Sequence, residues 1–276
     1  MNNKILVLGS TGKTGRRVAE KLQQLHLQLR LGSRNADLSF NWDEPGNWHQ
    51  VLNGIEKVYI AFQPDLAVPQ AVEKIILFTQ TALQNKVKKL VLLSGRGEKE
   101  AEECEQVVIS SGMDWTIIRA SWFMQNFSEG FFLDSILSNE MMLPVINAKE
   151  PFIDVDDIAD VVVASLTEEG HSQKIYELTG PELLSFKTAT AIIAGKLGRP
   201  IEFNETTMEE YVALLQSFQV PADFIWLIRY LFTELLDGRN ESLTNDIERV
   251  LDRKPITFDE YVTKTIKTGV WKTQLV

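Results

Sequence analysis

The sequence has only one cysteine, Cys104, among its 276 residues. A single thiol excludes an internal disulfide framework and any metal site built on several thiolates. Because Cys104 falls within a predicted helix, we expect a small buried side chain and not a nucleophile.

Long apolar runs and basic runs are lacking as well. Stretches such as Val161–Leu166 are far too short to span a bilayer. The first strand begins almost at the amino terminus, which leaves no room for a signal peptide and predicts a cytoplasmic protein. The net charge of −10 disfavours unaided binding to nucleic acid or to an anionic membrane.

Neither a catalytic triad nor a metal site can be assembled from the sequence. The three histidines are scattered over predicted helix ends and loops: His26, His49 and His171. None stands with a serine, an acid or a cysteine in a triad-like order, which disfavours a hydrolase. Three acids precede a predicted helix: Asp154, Asp156 and Asp157. Acids at that position are typical of helix caps and dipole partners, so we expect no metal.

The stretch KILVLGSTGKTGRRVAEKL carries a glycine-rich turn between a strand and a helix. Ile5–Leu8 is a fully apolar run, as in a buried parallel strand, and helical spacing of apolar residues begins near Thr14. In this order Gly9 permits a tight turn, Gly12 a close backbone approach to a pyrophosphate, and Gly15 the packing of helix on strand. A plain tight loop is the alternative. The context favours dinucleotide binding by Gly9, Ser10, Thr11, Gly12, Lys13, Thr14 and Gly15.

The end of the second predicted strand, Gln28–Leu31, distinguishes between cofactors. It lies about 20 residues beyond the glycines, where NAD-binding folds place an acid on the ribose 2′-hydroxyl. Here Ser33 and Arg34 follow and no carboxylate is present. Arg34 can pair with a 2′-phosphate, and Lys13 adds a second positive charge. The alternative is that Arg34 is a solvated surface residue that binds no phosphate. The sequence predicts NADP(H) rather than NAD(H).

Strand and helix patterns continue to alternate along the chain. Further strands are predicted before Asn41 and at Lys57–Ala61, Lys89–Leu93, Thr116–Arg119 and Lys174–Leu178. Helices are predicted at Val68–Asn85, Glu98–Ser110, from Asp156 or Asp157 to Leu166, from Ser185 to Leu197, and at Met208–Phe218, Ala222–Leu236 and Phe258–Thr268. The fold predicted is α/β, a Rossmann-like doubly wound parallel sheet (1–180, NAD(P)-binding) with a smaller helical C-terminal lobe (181–276, substrate lobe).

Four segments, in this order, resemble the NmrA-like branch of the atypical short-chain dehydrogenases: GSTGKTG, LLSGRGE, SSGMDWTIIRASWFMQNF and PFIDVDDIADV. Within that branch, WFMQNFSE, YELTGPELLSF and LLQSFQVP most resemble the ergot alkaloid biosynthesis proteins. That group includes agroclavine and festuclavine dehydrogenases. The resemblance covers nearly the whole chain and implies reduction of a cyclic iminium carbon with NADPH. The substrate does not follow from it.

Position and resemblance together suggest further contacts at the carboxyl ends of strands. Cofactor contacts are expected at Asn41, Trp42, Phe62, Gln63, Pro64, Ser94 and Ala120. A substrate-binding wall is expected at Trp122, Phe123, Asn126 and Phe127, where aromatic rings can stack on nicotinamide or on a flat substrate. Packing of the lobe onto the sheet is the alternative role of these residues.

Ordinary short-chain dehydrogenases protonate a carbonyl oxygen with a Tyr-x-x-x-Lys pair assisted by a serine. Ser94 is at the position of that serine and is the one catalytic candidate. When the predicted helix that follows is aligned at Glu105 with the pattern of those enzymes, Gly97 occupies the tyrosine position and Ala101 the lysine position. Carbonyl reduction builds an alkoxide that needs a proton donor, whereas hydride addition to an iminium carbon neutralises a charge.

The sequence therefore predicts an NADPH-dependent oxidoreductase that reduces an imine or iminium, with a quinone as the next choice. It would act as a monomer or homodimer on a small molecule. The alternative is a non-catalytic NADP(H) redox sensor that acts on a protein partner. The aromatic wall favours the enzyme, since a sensor has no need of it.

Overall fold

The structure is a computed structural model that describes residues 4–145 and 147–272. Its strands are β1 (Ile5–Leu8), β2 (Leu29–Gly32), β3 (Lys57–Ile60), β4 (Lys89–Gly95), β5 (Asp114–Ala120), β6 (Glu140–Leu143), β7 (Lys149–Glu150), β8 (Lys174–Leu178), β9 (Leu184–Ser185) and β10 (Glu202–Glu205). Its α-helices are α1 (Lys13–Gln24), α2 (Trp48–Leu52), α3 (Ala71–Gln84), α4 (Lys99–Ile109), α5 (Asn126–Glu129), α6 (Leu133–Ser138), α7 (Val155–Thr167), α8 (Phe186–Leu197), α9 (Met208–Ser217), α10 (Ala222–Tyr230), α11 (Asp246–Leu251) and α12 (Phe258–Thr268). Most predicted elements are confirmed to within a few residues.

Two compact units form, and their segments alternate along the chain. Within the described residues the first unit takes 4–120, 155–178 and 246–253, and the second takes 121–145, 147–154, 179–245 and 254–272. The predicted division into a cofactor region (1–180) and a substrate region (181–276) is one of function and stays a prediction. None of the helices in the described ranges is both long and apolar enough to cross a membrane.

The first unit contains a six-stranded sheet in the order β2-β1-β3-β4-β5-β8 with every pair parallel. The chain moves from β1 to β2 on one side and then returns to place β3 on the other side of β1. The loops after β1 and β3 therefore open beside each other at the carboxyl edge, at the switch point where such sheets bind ligands. This topology confirms the Rossmann-like fold.

Alternate residues of each strand face opposite sides of this sheet. Leu6 and Leu8 lie in one apolar core with residues of α2, α3 and α4. Tyr59 faces the other side, where its buried hydroxyl hydrogen-bonds to the Thr14 hydroxyl of α1 (2.9 Å). On that side α1 packs against α7.

The prediction of a strand before Asn41 is wrong. Residues 33–44 form no strand, and β2 is the edge strand of the sheet. The Phe40 N–H donates to the Ser33 carbonyl (2.9 Å), which folds the segment back on itself. Phe40 and Trp42 are buried against Trp48 and Phe78. The apolar residues, whose alternation resembles that of a strand, belong to a loop that packs over the core.

The second unit is mainly helical, as predicted, but it also contains strands that the sequence did not reveal. β10 pairs in parallel with β6, and β7 pairs antiparallel with β9. The predicted cap of α8 is confirmed, since Ser185 Oγ accepts from the Thr188 N–H (3.1 Å). Helix α10 ends at Tyr230 instead of Leu236, and a π-helical turn continues over Leu231–Leu235.

Candidate functional site

The glycine turn after β1 is closely packed beneath the start of α1. Gly9 has φ +65°, a conformation that favours glycine, and its carbonyl accepts from the Gly12 N–H (2.8 Å). A methyl group at Gly15 would lie 2.2 Å from the Gly9 carbonyl oxygen, so no side chain fits there. The first turn of α1 carries no acidic residue. The N–H groups at this helix start and its positive dipole end therefore suit a phosphate.

The loop after β3 lies against this turn. A methyl group at Gly12 would be 3.4 Å from Gln63 Nε2, which places the Gln63 amide beside the predicted phosphate position. Gln63 and Pro64 are exposed and joined by a cis peptide bond. Phe62 is buried, with its ring 4.7 Å from that of Trp42. Of this predicted group, Gln63 and Pro64 are the residues that offer surface to a ligand.

The end of β2 stands beside the same turn. Gly32 is opposite Leu8 in the parallel register, and its carbonyl accepts from the Ser10 N–H (3.3 Å). Arg34 follows two residues later and is exposed. Its guanidinium has no hydrogen-bonding or ion-pairing partner among residues 4–145 and 147–272.

Asn41 and Trp42 have roles within the loop itself. Asn41 Oδ1 accepts from the Asp43 N–H (3.1 Å), and its Nδ2 donates to Glu44 (3.0 Å). Trp42 is 8% exposed and packs in the aromatic core. Both side chains are accounted for by local structure, and their predicted contact with the adenine stays a prediction.

Ser94 takes part in a buried ionic network. Its hydroxyl donates to Glu105 Oε1 (2.6 Å). Glu105 is fully buried and also accepts from Arg119 Nη2 (2.7 Å). Hydrogen bonding to Glu105 raises the pKa of the Arg119 guanidinium, so Arg119 stays positively charged. The Ser94 proton is thus directed into the protein, toward a carboxylate that α4 holds.

The two positions that the sequence register assigns to a Tyr-Lys pair carry no side-chain proton donor. Gly97 lies in the loop before α4 with φ +78°. Ala101 is fully buried in α4. Ala120 ends β5 opposite Gly95 and is 7% exposed.

An acid pair that the sequence analysis missed lies at the same edge of the sheet. Asp65, after β3, and Glu98, after β4, are hydrogen-bonded to each other through their carboxyl groups. Burial raises the pKa of Glu98 well above its usual range, and the charge of Asp65 adds to the effect. Acids in loops between strands and helices are usually solvated, so the sequence contains no signal for this pair.

The predicted substrate wall belongs to the second unit. Trp122 and Phe123 are half-buried, whereas Asn126 is 9% exposed and Phe127 is fully buried. The Trp122 ring lies 5.2 Å from Phe186 and 5.5 Å from Phe232. Phe127 packs instead among core rings: Phe132, Phe152, Phe186 and Phe258. Trp122 and Phe123 are therefore the two aromatic members of the predicted wall that present surface.

The three acids around residue 154 have identified partners. Asp156 pairs with Arg17 (2.9 Å) and Asp157 with Arg253 (2.6 Å). Asp154 accepts from Gln125 Nε2 (2.8 Å). No group of three His, Cys, Asp or Glu side chains that could hold a metal ion occurs in the part of the chain that the structure describes.

Relatives match the sequence over nearly its full length, although no family model matches it. Festuclavine synthase II of Penicillium roqueforti is 30% identical, over 93% of this chain and 96% of its own. Agroclavine dehydrogenase of Claviceps fusiformis is 28% identical, over 97% of this chain and 98% of its own. Prestalk A differentiation protein A of Dictyostelium discoideum is 25% identical, over 95% and 92% respectively.

Solved structures share the fold. An NADPH-dependent quinone oxidoreductase from Escherichia coli, complexed with NADPH, superposes with a TM-score of 0.78. It is 19% identical, and the match covers 95% of this chain and 99% of that one. Together with the glycine turn and the full-length relatives, this likeness confirms the resemblance noted in the sequence. The chain belongs to the NmrA-like family of atypical short-chain dehydrogenases, near the ergot alkaloid dehydrogenases.

Proposed function

We propose that this protein is an NADPH-dependent reductase that transfers hydride to a small planar acceptor, an imine or iminium first and a quinone next. The glycine turn carries the proposal. Gly15 leaves no room for a side chain against Gly9, and the turn opens beneath a helix start without acids. This is a cradle for a pyrophosphate at the switch point of a parallel sheet.

NADPH is preferred over NADH because of the residues directly after β2. A carboxylate there would repel a 2′-phosphate, and none is present at Ser33 or Arg34. Arg34 is exposed, and no described side chain pairs with it. A guanidinium in this state can bind a phosphate bidentately without giving up another ion pair. The solved quinone oxidoreductase of the same fold is an NADPH complex.

We infer the class of acceptor from the lack of a side-chain proton donor at the predicted tyrosine and lysine positions. Gly97 and Ala101 have no acidic hydrogen, and the Ser94 hydroxyl donates to Glu105. NADPH, when bound, supplies hydride from its nicotinamide. An iminium carbon accepts it without a new oxyanion, so orientation and exclusion of water become the main contributions of the protein. The festuclavine and agroclavine relatives are named a synthase and a dehydrogenase, and the resemblance to their group implies an iminium acceptor.

A redox sensor is the second candidate. Its support is the Dictyostelium relative, whose name refers to differentiation and not to a reaction. A sensor needs the cofactor cradle and no acceptor. The half-buried rings of Trp122 and Phe123 favour the enzyme.

The test begins with NADPH binding, measured by fluorescence titration of the purified protein. Oxidation of NADPH is then followed with cyclic imines, quinones, enones and ketones. We expect turnover of imines or quinones and none of ketones. Tight binding without turnover of any acceptor would instead support the sensor.

Arg34→Ala tests the cofactor assignment. We expect it to raise the KM for NADPH severalfold and to leave the KM for NADH nearly unchanged, since only NADPH carries the 2′-phosphate. Lys88→Ala is the control, because it removes one positive charge at the amino end of β4, on an exposed side chain paired with Glu56. Equal losses for both cofactors in Arg34→Ala would contradict the assignment.

A further inference from the structure

Two acidic side chains join the loops that follow β3 and β4. Asp65 follows Gln63 and Pro64, and Glu98 immediately precedes α4. Their carboxyl groups are hydrogen-bonded to each other, and Glu98 is only 5% exposed. Since two carboxylates offer only acceptors, a hydrogen bond between them requires one shared proton. The pair is therefore one carboxylic acid and one carboxylate.

The contacts indicate which member carries the charge. Burial raises the pKa of Asp65 as well, but Asp65 Oδ1 accepts from the Ala67 N–H (2.8 Å), which favours the ionised form of Asp65. Glu98 Oε2 is buried and has no hydrogen-bond partner among the described residues, so ionisation of Glu98 would leave a charge without compensation. Burial raises the pKa of Glu98 most, and Asp65, Glu100 and Glu105 raise it further. Glu98 thus holds the proton.

The surroundings of the pair are tight and carry mostly negative charge. A methyl group at Gly95 would lie 2.1 Å from Glu98 Cδ, so the carboxyl group lies directly on the backbone at the end of β4. Cys104 Sγ of α4 approaches the Leu66 carbonyl (4.0 Å), which brings the loop after β3 against the same helix. On α4 the acids Glu100 and Glu105 raise the pKa of Glu98, whereas Lys99, the first residue of that helix, is exposed. On α3, which packs against α4, Lys74 is paired with Asp43, and Glu73 is the other charged residue.

We propose that Asp65 and Glu98 form a proton-dependent clamp that holds the loops after β3 and β4 in the arrangement that binds the cofactor. The inference rests on the proposed function, because Gln63, Pro64 and Ser94 on these segments are predicted cofactor contacts. Both acids are positioning residues that act through the loops. With one proton the loops are joined. Without it, two carboxylates in contact within a poorly solvated site repel each other and separate the loops.

The expected effect follows from the fraction of protein that keeps the proton. A group whose pKa is raised in the folded protein supports the clamped form at low pH, and this support is lost as the pH rises through that raised pKa. If only the clamped form binds, the apparent Kd for NADPH increases by up to about tenfold per pH unit above that point. Glu98→Gln keeps a hydrogen-bond donor toward Asp65 but cannot ionise. Its affinity for NADPH should therefore stay level over the same range.

The experiment compares NADPH binding by fluorescence at several values between about pH 6.5 and about pH 9.5, a range above the ordinary carboxyl pKa. Wild type, Glu98→Gln and Glu103→Gln are titrated in parallel. Glu103 is an exposed acid of α4, so its variant makes the same charge change away from the clamp. We expect affinity to fall at alkaline pH in wild type and Glu103→Gln and to stay level in Glu98→Gln. A parallel fall in all three, or no fall in any, would overturn the proposal.

Hydrogen exchange of the protein without cofactor separates this inference from the proposed function. Peptides covering 61–67 and 95–98 should exchange faster in wild type than in Glu98→Gln at alkaline pH and equally at the acidic end. If that difference appears but NADPH never binds, the clamp stands and the cofactor assignment fails. Equal exchange in both proteins at every pH would reject the clamp. If Glu98→Gln does not fold, Asp65→Asn provides the same comparison, because it also prevents two charged carboxylates from facing each other.

Discussion

The close approach of α1 to β1 at Gly15 predicts an unusually costly glycine-to-alanine change. The new methyl group of Gly15→Ala would lie 2.2 Å from the Gly9 carbonyl oxygen and 2.6 Å from the Gly9 carbonyl carbon. These are backbone atoms, which cannot rotate away as the end of a side chain can. Relief therefore requires that α1 move outward from the sheet, which also disturbs the turn that the proposed cofactor site needs.

The magnitude is a balance of two effects. Overpacking of a closely fitted site costs about 1–3 kcal/mol. Alanine recovers about 0.5–1 kcal/mol of helix propensity relative to glycine. We expect a net loss of about 1–2 kcal/mol in the free energy of unfolding, which lowers Tm by about 2–8 °C in a chain of this size.

Gly195→Ala is the matched control. Gly195 lies inside α8, and a methyl group there would meet nothing within 4 Å. It should gain about 0.5–1 kcal/mol from helix propensity alone. Thermal denaturation of the two variants beside wild type measures the difference, and NADPH titration measures the cofactor site. A Gly15→Ala protein as stable as wild type would refute the close-approach argument.

Three further predictions concern the glycine turn, the Glu105 network and the buried Cys104. Gly12→Ala should lower Tm less than Gly15→Ala does, because its methyl group would be 3.2 Å and not 2.2 Å from the Gly9 carbonyl oxygen. It should nevertheless weaken NADPH binding by about tenfold or more, or about 1.4 kcal/mol; unchanged binding would contradict the predicted phosphate position. Arg119→Ala leaves Glu105 buried without its cation and should lower the free energy of unfolding in urea by about 3–5 kcal/mol, against about 1–3 kcal/mol for Ser94→Ala; a smaller loss than that of Ser94→Ala would be inconsistent with the network. Burial, followed by the charges of Glu103 and Glu105, raises the pKa of Cys104 to about 12, so the thiol stays protonated at mildly alkaline pH. Native protein should therefore react with iodoacetamide far more slowly than protein in urea, and equal rates would contradict the burial of Cys104.

The elements whose geometry depends on residues near in sequence were predicted correctly. The apolar run Ile5–Leu8, the glycine spacing and the helical periodicity of α1 are each legible within a few residues, and the structure confirms them. The capping residue of α8, Ser185, was recognisable for the same reason. A strand–turn–helix unit of this kind largely encodes its own geometry, since Gly12 and Gly15 both approach the Gly9 carbonyl, only a few residues away in sequence.

Features that depend on distant partners were missed or misread. The alternating apolar residues near Phe40 resemble a strand, and only the distant Trp48 and Phe78 show that they cover a core from a loop. The strand β10 depends on β6, about sixty residues earlier in the chain, and its own sequence is mostly polar. Sequence periodicity carries no information about such partners.

Among the predicted site residues, the structure distinguishes those that offer surface from those that are enclosed. Gln63 and Arg34 are exposed, whereas Trp42 and Phe127 are buried in aromatic cores. An aromatic residue after a strand has the same sequence signature in both cases. Only packing reveals which ring is free to stack on a ligand.

Ser94 shows why the chemistry of this site cannot be transferred from ordinary short-chain dehydrogenases by position alone. The residue is the expected type at the expected end of β4, yet its hydroxyl donates to Glu105, a carboxylate fixed by Arg119. A serine that served an acceptor would have to release this bond and leave a buried carboxylate short of one donor, at a cost of about 1–3 kcal/mol. Glu98, whose pKa burial raises well above its usual range, lies near the ends of β3 and β4 and is engaged with Asp65. The Ser94 hydroxyl and the Glu98 carboxyl group are thus both engaged within the protein. Reduction of an acceptor that needs no proton from the protein would leave both interactions intact.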